Sequence, residues 1–467
     1  MENIHLTVLL VYAASLMCIG LWVGRRRVRV ASDFFVAGRQ LGSPLLFSTM
    51  LAANIGAGST VAAAGLGYSD GLSAWWWVGS AALGSIVLAF WIGPRMRQLA
   101  NSHHFQTLGD YLDFRFGKGV RGTITVLMSV GTISLLAVQL IGIGFVLNVI
   151  TGLERWAGSI IGGFVVIGYF SVGGLFASAW INLIQLVILL LGFVIALPLA
   201  LNSTGGFAQI YEATQHIDEF WNPLQGGHSG WFYLISPGLA FIVSPGLIQK
   251  VYAARDDRTV RLGVALNGLV LLLFASIPML FGVIARATYP SLADPGLALP
   301  SLLIDSVPPI IGALGLAALF SAEVSSSDAI LFMLATSLAK DLYGRFVNPN
   351  ASDQEILAVA RKAAIIGGVF GTGLAILAVS MISLLSIFYS LLVVSLFIPI
   401  LIGLYTRRLG TTEAYASIIT GVGLFVIVQF ISDGNRVFGL TPQIIGVIGS
   451  TIGCYTAWLI RTRVRLP

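Results

Sequence analysis

The sequence predicts an all-α polytopic membrane protein of thirteen transmembrane helices, with its N-terminus outside and its C-terminus inside. The first observation is composition: 57% of the 467 residues are hydrophobic, only 10% are charged, and the mean hydropathy is +0.90. An ordinary soluble domain is about 25% charged. The second is the placement of basic residues, since 23 of the 26 Lys and Arg fall in loops that this topology puts inside. A wrong number of spans would scramble that alternation.

The thirteen spans are apolar runs close to the ~20 residues that a helix needs to cross a bilayer. The first follows an acidic start and ends at three arginines, which is the wrong polarity for a cleaved signal peptide. Both cysteines, Cys18 and Cys454, fall inside spans, so no disulfide framework is expected. The spans are 4–24, 43–69, 73–94, 122–150, 156–172, 175–201, 230–252, 262–285, 308–340, 357–381, 384–405, 412–432 and 440–460.

Two spans, 43–69 and 230–252, carry helix-breaking residues at mid-membrane. Such breaks are tolerated only where the freed backbone groups are buried in protein or line a cavity. The alternative is that the glycines only let neighbouring helices approach closely. The breaking residues are Asn54, Gly56 and Gly58 in the first span, and Pro237, Gly238, Pro245 and Gly246 in the second.

These interrupted spans open two sets of five, which predicts a five-plus-five inverted repeat. Because five is odd, the second set must lie inverted relative to the first. Interrupted segments in corresponding positions of inverted halves indicate the central site of a transporter. We therefore expect a single transporter domain over 1–467. Its parts are a leading helix 4–24, a first repeat 43–201, a second repeat 230–405 and two trailing helices within 412–460.

The ninth span, 308–340, carries Glu323 and Asp328 beside three serines in its middle. A carboxylate at that depth costs at least ~2.5–3.5 kcal/mol on insertion scales, so it should face a polar interior. The usual partner is Lys or Arg, and no other predicted span has one in its core. An acidic pair without a protein cation suggests that its partner is a cation from solution.

The sequence offers little to an enzyme, an ATP-driven pump or a nucleic-acid-binding protein. The five histidines lie at helix ends or in loops, so no HExxH-type metal site or His-based nucleophile relay is expected in the membrane. No P-loop is present, and the free energy for transport must then come from an ion gradient. The net charge of +6 is spread over short loops rather than one face, so no nucleic-acid partner is expected.

Four stretches of the chain together resemble the sodium:solute symporter family, which contains proline, pantothenate, sialic acid, glucose and high-affinity choline carriers. The resemblance covers nearly the whole chain and implies a fold similar to the leucine transporter, with extra helices at both ends. The four stretches are DFFVAGRQLG after the first span, AANIGAG in the second, GGLFASAWINLIQ into the sixth and AEVSSSDAILFMLATSLAKDLY in the ninth.

The resemblance implies a sodium site in which the broken second span faces the ninth span. The family's pattern on the facing helix falls here on Ala322, Ser325 and Ser326, whose spacing of i, i+3 and i+4 puts them on one helical face. The partner carbonyls map onto Ala52 and Ile55. The alternative for the serines is hydrogen bonding to their own helix. Sodium is thus the expected coupling ion.

The sequence leaves alternative roles open for three further polar residues near this site. Asp328 lies on the face of Ser325, and Asn182 stands where the family usually has an Asp, so the two are candidates for a second cation. Asp328 could instead be protonated or act on the sodium indirectly. Glu323 lies about 140° around the helix from Asp328. A buried carboxyl without a cation is a candidate proton carrier, and a neutral Glu bonded to a carbonyl or Ser is the alternative.

The solute is only coarsely specified. Positions that match the sugar-binding residues of related carriers are Ser59 and Val78, and Asn54 stands where choline carriers have a Trp, so neither a sugar nor a quaternary ammonium is expected. A small amino acid, carboxylate or similar metabolite remains. The candidate solute contacts are Asn54, Ser59, Trp76 and Ser244, with an interfacial aromatic belt as the alternative for Trp76.

The sequence therefore predicts a secondary active transporter that couples sodium to a small organic solute by alternating access. We expect it to be a multi-pass protein of the cell (cytoplasmic or inner) membrane, with solute and lipid as its partners. Two alternatives remain open: a proton-coupled symporter that uses Glu323 or Asp328, and a channel or sensor on the same scaffold. The sequence does not indicate an oligomeric state.

Overall fold

The computed structural model describes residues 4–15, 39–170 and 175–464, with side chains for all of these except 169, 170, 175–184 and 464. The described chain is almost entirely helical, as the apolar composition predicts. Its only strands in these ranges are two-residue segments, β1 (Gln225–Gly226) and β2 (Ser229–Gly230), which pair antiparallel in a hairpin between helices.

The helices of the first half of the chain are mostly long and apolar. A short 3-10 turn, Gly71–Ala74, and a π turn, Leu88–Ile92, connect some of them without a loop. The helices are α1 (Ile4–Ser15), α2 (Ser43–Asn54), α3 (Val61–Asp70), α4 (Trp75–Val87), α5 (Gly93–His103), α6 (Leu108–Phe116), α7 (Lys118–Thr151), α8 (Arg155–Phe170), α9 (Leu175–Ser203) and α10 (Phe207–Thr214).

After the hairpin, the helices of the second half of the chain are again mostly apolar. Two 3-10 turns, Trp231–Leu234 and Pro295–Leu297, and two π segments, Ser337–Val347 and Val393–Phe397, adjoin its helices. The helices are α11 (Pro237–Val243), α12 (Pro245–Ala253), α13 (Asp257–Phe274), α14 (Ser276–Thr288), α15 (Ala298–Asp305), α16 (Pro309–Thr336), α17 (Asp353–Leu377), α18 (Met381–Leu392), α19 (Ile398–Tyr405), α20 (Thr411–Ile431) and α21 (Pro442–Val464).

The described residues contain ten helical stretches that are long and apolar enough to cross a membrane, together with three shorter apolar helices. The chain is therefore a multi-pass, mostly helical membrane protein, which confirms the predicted class. The count of thirteen spans and the orientation of the termini remain predictions. The leading helix predicted at 4–24 lies partly outside the described residues.

The helical break in the second predicted span separates α2 from α3. Ile55 leaves helical geometry with φ −100° and ψ 99°, and regular helix resumes only at Val61. Gly56 is required by close approach, since a Cβ there would lie 2.4 Å from Gln139 Oε1 and 2.5 Å from Ser326 Oγ. The predicted break is thus present, at the residues that sequence reasoning indicated.

The second break is shorter than expected and involves fewer residues. Ser244 alone interrupts the helix between α11 and α12, with φ −57° and ψ 122°. Pro245 causes this, because a residue before proline is pushed out of the helical region. Pro237 and Gly238, which we expected to contribute to the break, instead form the first turn of α11, where a missing N–H costs nothing.

Helix α16 runs past the first break as an uninterrupted helix of 28 residues. It contacts α2, α7, α8, α9 and α17, and almost its whole length from Gly312 to Thr336 is buried. A helix enclosed on all sides needs no amphipathic stripe. Its polar residues must therefore meet other protein groups, a cavity or a ligand.

Candidate cation and solute site

Two backbone carbonyls of the α2–α3 break converge on one hydroxyl of α16. Ser326 Oγ lies 2.9 Å from the carbonyl oxygen of Ala52 and 2.9 Å from that of Ile55, and all three groups are buried. The hydroxyl has a single hydrogen to donate. It cannot fully satisfy both carbonyls at once, so this cluster of neutral oxygens retains the capacity to bind a small cation.

Short side chains within the break satisfy its other freed groups. The Gly56 N–H donates to Ser59 Oγ at 3.1 Å, and that hydroxyl donates to the Asn54 carbonyl at 2.8 Å. Thr60 Oγ1 donates to the Gly56 carbonyl at 2.8 Å. These local bonds hold the unwound backbone in one shape, and they leave the Ala52 and Ile55 carbonyls facing Ser326.

Two residues that the sequence analysis did not select brace the break from other helices. The side-chain carbonyl of Gln139 on α7 accepts from the Ala57 N–H at 2.8 Å, and the indole of Trp77 on α4 donates to the Gly58 carbonyl at 2.9 Å. A signal for Gln139 was present, since it is the one polar side chain in the otherwise apolar stretch 135–147. Nothing in the sequence distinguished Trp77 from its two neighbouring tryptophans.

The other predicted cation ligands lie in the same stretch of α16. Ser325 and Ala322 are buried, and helical geometry places Ala322 one turn before Ser326 on the same face. The described residues hold no cluster of three His, Cys, Asp or Glu side chains that could bind a metal. The candidate site is therefore one of neutral oxygens, which suits a hard monovalent cation.

Glu323 does not line the solute cavity. It is fully buried, and within the described part of the chain neither carboxyl oxygen has a hydrogen-bond partner. It sits against Ala57 and Gly142: a Cβ at Gly142 would lie 2.5 Å from Ala57 Cβ and 2.6 Å from Glu323 Oε1. The alternative of a neutral Glu bonded to a carbonyl or Ser is not seen among these residues.

Asp328 interacts electrostatically with a buried protein cation, which corrects the expectation that the core of no other span holds one. Lys250 on α12 is only 6% exposed, and its ammonium interacts electrostatically with Asp328. The sequence analysis assigned Lys250 to an inner loop because it ends the apolar run. The break at Ser244 explains the difference: α12 begins only at Pro245, so Lys250 is still inside the protein in its second turn.

A cavity lies between the two breaks and α16. It encloses about 640 Å³ of empty space, solvent at its mouth included. Three of the four predicted solute contacts line it, namely Asn54, Ser59 and Ser244. The other lining residues are Ala53, Gly56, Gly58, Leu135, Gln139, Phe241, Gly246, Leu247, Lys250, Ala329, Ile330, Met333, Leu385, Phe388 and Tyr389.

The fourth predicted contact, Trp76, lies elsewhere. Its indole donates to the Pro223 carbonyl of the loop before the hairpin at 2.9 Å. Trp77 takes the inward position instead, with its ring 5.5 Å from that of Tyr389, a cavity residue. The side chain of Asn182, proposed with Asp328 for a second cation, lies outside the described residues.

Two broken helices that meet a continuous buried helix beside a cavity define a secondary transporter built around a central site. A model of the sodium:solute symporter family matches residues 34–421, and the chain belongs to that family. The family consists of transporters rather than enzymes, and its members couple solute transport to sodium.

Three relatives with curated descriptions are each about a quarter identical to this chain. The human sodium/iodide cotransporter is 25% identical over 69% of this chain, which spans about half (53%) of that protein's length. The high-affinity choline transporter 1 of Drosophila melanogaster is 26% identical over 92% of this chain and 70% of its own. The sodium/pantothenate symporter of Escherichia coli is 26% identical over 85% of this chain and 84% of its own.

Solved structures show the same fold. A sodium-coupled sialic acid symporter in a substrate-bound, outward-open state superposes with a TM-score of 0.83 at 19% identity, over 99% of this chain and 98% of its own. A transporter of the nucleobase-cation-symport-1 family in a closed conformation gives a TM-score of 0.60 at 14% identity, over 92% and 94%.

Proposed function

We propose that this protein moves a small organic solute across the cell membrane together with sodium. The observation that carries the proposal is the convergence of the Ala52 and Ile55 carbonyls on Ser326 Oγ, each at 2.9 Å. Sodium is cargo here, held by these oxygens with Ser325 and the Ala322 carbonyl. Carbonyls and hydroxyls of this kind replace part of the hydration shell of the ion.

Coupling follows from the position of the α2–α3 break between ion and solute. The same unwound segment offers carbonyls to the cation on its α16 side and lines the cavity with Asn54 and Ser59 on the other. A cation that orders this segment also orders the wall of the solute site, so each ligand increases the affinity for the other. The repeats 43–201 and 230–405 would then rock about this fixed site.

One sodium rather than two is the stoichiometry we propose. Asp328 was a candidate ligand for a second cation because it shares the face of Ser325, because Asn182 replaces the family's usual Asp, and because no protein cation was expected near it. Lys250 supplies that charge from within the chain. Glu323 is not assigned to the cation site, since its carboxyl lies against Gly142.

Binding of radioactive ²²Na⁺ to the purified protein tests this proposal without knowledge of the solute. Saturable binding of one ion, displaced by unlabelled sodium but not by potassium, is expected for the wild type. Ser326→Ala should lose it. Ser327→Ala is the matched control, since the Ser327 hydroxyl bonds only the Glu323 carbonyl of its own helix, at 2.7 Å. Absence of selective sodium binding in the wild type would favour the proton-coupled alternative.

A further inference from the structure

Lys250 is the one charged side chain among the described residues that line the central cavity. It is 6% exposed and sits in the second turn of α12, beyond the Ser244 break. An ammonium taken out of water costs several kcal/mol unless it is paired and hydrogen-bonded. A lysine in this position therefore needs an anionic partner.

The described chain supplies only part of that partner. No carboxylate in this part of the chain lies within ion-pair distance of Lys250, and no described group forms a hydrogen bond with its ammonium. Asp328 acts on it electrostatically. The ammonium carries three hydrogens that point at acceptors. Asp328 thus compensates charge, while the hydrogen-bonding capacity of Lys250 stays open.

Of Asp328 and Lys250, only Lys250 lines the cavity. Its wall on α16 is formed by Ala329, Ile330 and Met333, and Asp328 is not part of it. Lys250 therefore belongs to the wall of the cavity, and Asp328 does not. A solute in the cavity meets a positively charged residue whose charge is compensated by a buried negative one.

The rest of the cavity wall is mainly apolar and aromatic. Phe241, Leu385, Phe388 and Tyr389 all line it. Such a surface accommodates a hydrocarbon or aromatic body. A solute with one anionic group on an apolar body matches both parts of the cavity.

We propose that Lys250 is the anion-binding pole of the central cavity and that the transported solute is a small organic anion, whose carboxylate or equivalent group accepts hydrogen bonds from this ammonium. The inference rests on the proposed function and deepens it, since it names the class of solute. It adds a binding residue, Lys250, to Asn54, Ser59 and Ser244.

Matched sets of small solutes test this proposal on the purified full-length protein. Within a set the compounds have a similar apolar body and differ in the charge of the polar group. Two sets suffice: propanoate, propanamide and propylammonium; and benzoate, benzamide and benzylammonium. Thermal stability is titrated with each compound at constant sodium and ionic strength, since a ligand of the native state raises Tm. In at least one set the anion should stabilise the wild type more than its neutral and cationic counterparts.

Substitutions then assign the effect to the side chain. Lys250→Met should weaken the affinity for the stabilising anion by roughly 10- to 100-fold, the usual effect of losing a hydrogen bond to a charged group. Lys250→Arg keeps the charge and should retain most of the affinity. Lys362→Met removes an exposed lysine elsewhere and should change nothing.

Several results would overturn the proposal. One is a wild type that no anion stabilises beyond its neutral counterpart, which requires no variant to fold. Another is an unchanged anion affinity in Lys250→Met. Sodium binding without solute separates the two proposals: if it persists while the anion preference fails, only the role of Lys250 is lost.

Discussion

Helix α16 and the π segment Ser337–Val347 that follows it have charged side chains in two regions. The two regions differ in how completely these side chains are paired and hydrogen-bonded. In the π segment that follows α16, Asp341 is buried and lies 2.6 Å from Arg121 Nη2, and it also accepts from Thr107 Oγ1 at 2.6 Å. The same guanidinium reaches Asp110 at 2.8 Å and Asp113 at 3.2 Å. Each charge in this cluster has its partners within hydrogen-bond distance.

At the middle of the helix, two charged side chains lack such partners among the described residues. Glu323 has no hydrogen-bond partner there, and Lys250 has an electrostatic partner, Asp328, but no ion pair or hydrogen bond. The two regions therefore do different work. The Arg121 cluster ties α6, α7 and the π segment after α16 together, whereas Glu323 and Lys250 belong to no such network among the described residues.

The largest effect on stability is expected at the Arg121 cluster. Arg121→Ala would leave Asp341, Asp110 and Asp113 without their common cation, and breaking a buried ion pair costs about 3–5 kcal/mol. A marked fall in the thermal stability of the purified protein should result, while the response to sodium remains. Arg258→Ala, at an exposed position, is the control. An unchanged melting point would show that the cluster is not structural.

A smaller but more specific effect is expected at Gly56. An added methyl group would overlap Gln139 Oε1 and Ser326 Oγ, and overpacking of this kind costs about 1–3 kcal/mol. Because Ser326 belongs to the candidate cation site and Gln139 braces the break beside it, Gly56→Ala should also weaken sodium binding. At Gly58 the added Cβ would meet only the end of Leu385, at 3.2 Å, so Gly58→Ala should retain sodium binding. Equal behaviour of the two variants would contradict the geometry.

The brace from α7 should contribute less. Gln139→Leu leaves the Ala57 N–H buried without its acceptor, which costs about 1–3 kcal/mol. The expected readout is a lower melting point together with a weaker stabilisation by sodium. Ser134→Ala on the same helix removes only a bond to the Val130 carbonyl and serves as control. A Gln139→Leu protein that matches this control would mean that the break holds its shape unaided.

The smallest effect is expected at Glu323. A buried carboxyl with neither cation nor donor is most stable in its neutral form, and Gln is nearly the same size. Glu323→Gln should thus change the free energy of unfolding by under about 1 kcal/mol, whereas Glu323→Ala should cost more because it leaves a cavity. Denaturation of both proteins at neutral pH provides the comparison. A large loss in the Gln variant would indicate that the carboxylate is charged and paired.

The sequence revealed the parts of this site that depend on local signals. The break at Asn54–Gly58 follows from residues that disfavour helix, and the shared face of Ala322, Ser325 and Ser326 follows from helical periodicity. The sequence did not predict that Lys250 is buried, because its depth depends on where the second break falls. The sequence also did not predict that Trp77 and Gln139 contact the break, because these contacts join residues that are 19 and 82 positions apart in the chain. Distances of this kind are set by tertiary packing rather than by local pattern.

The central claim is that Ser326 and the carbonyls of the break form a sodium site. Its most direct test is the thermal stability of wild type, Ser326→Ala and Ser327→Ala, titrated with sodium, lithium and potassium at constant ionic strength. Stabilisation grows as RT ln(1 + [L]/Kd), reaching about 2.7 kcal/mol at a hundredfold excess over Kd. A sodium-selective rise in Tm for wild type and Ser327→Ala, absent in Ser326→Ala, is the predicted result. A rise that persists in Ser326→Ala, or no selective rise in the wild type, would contradict the claim.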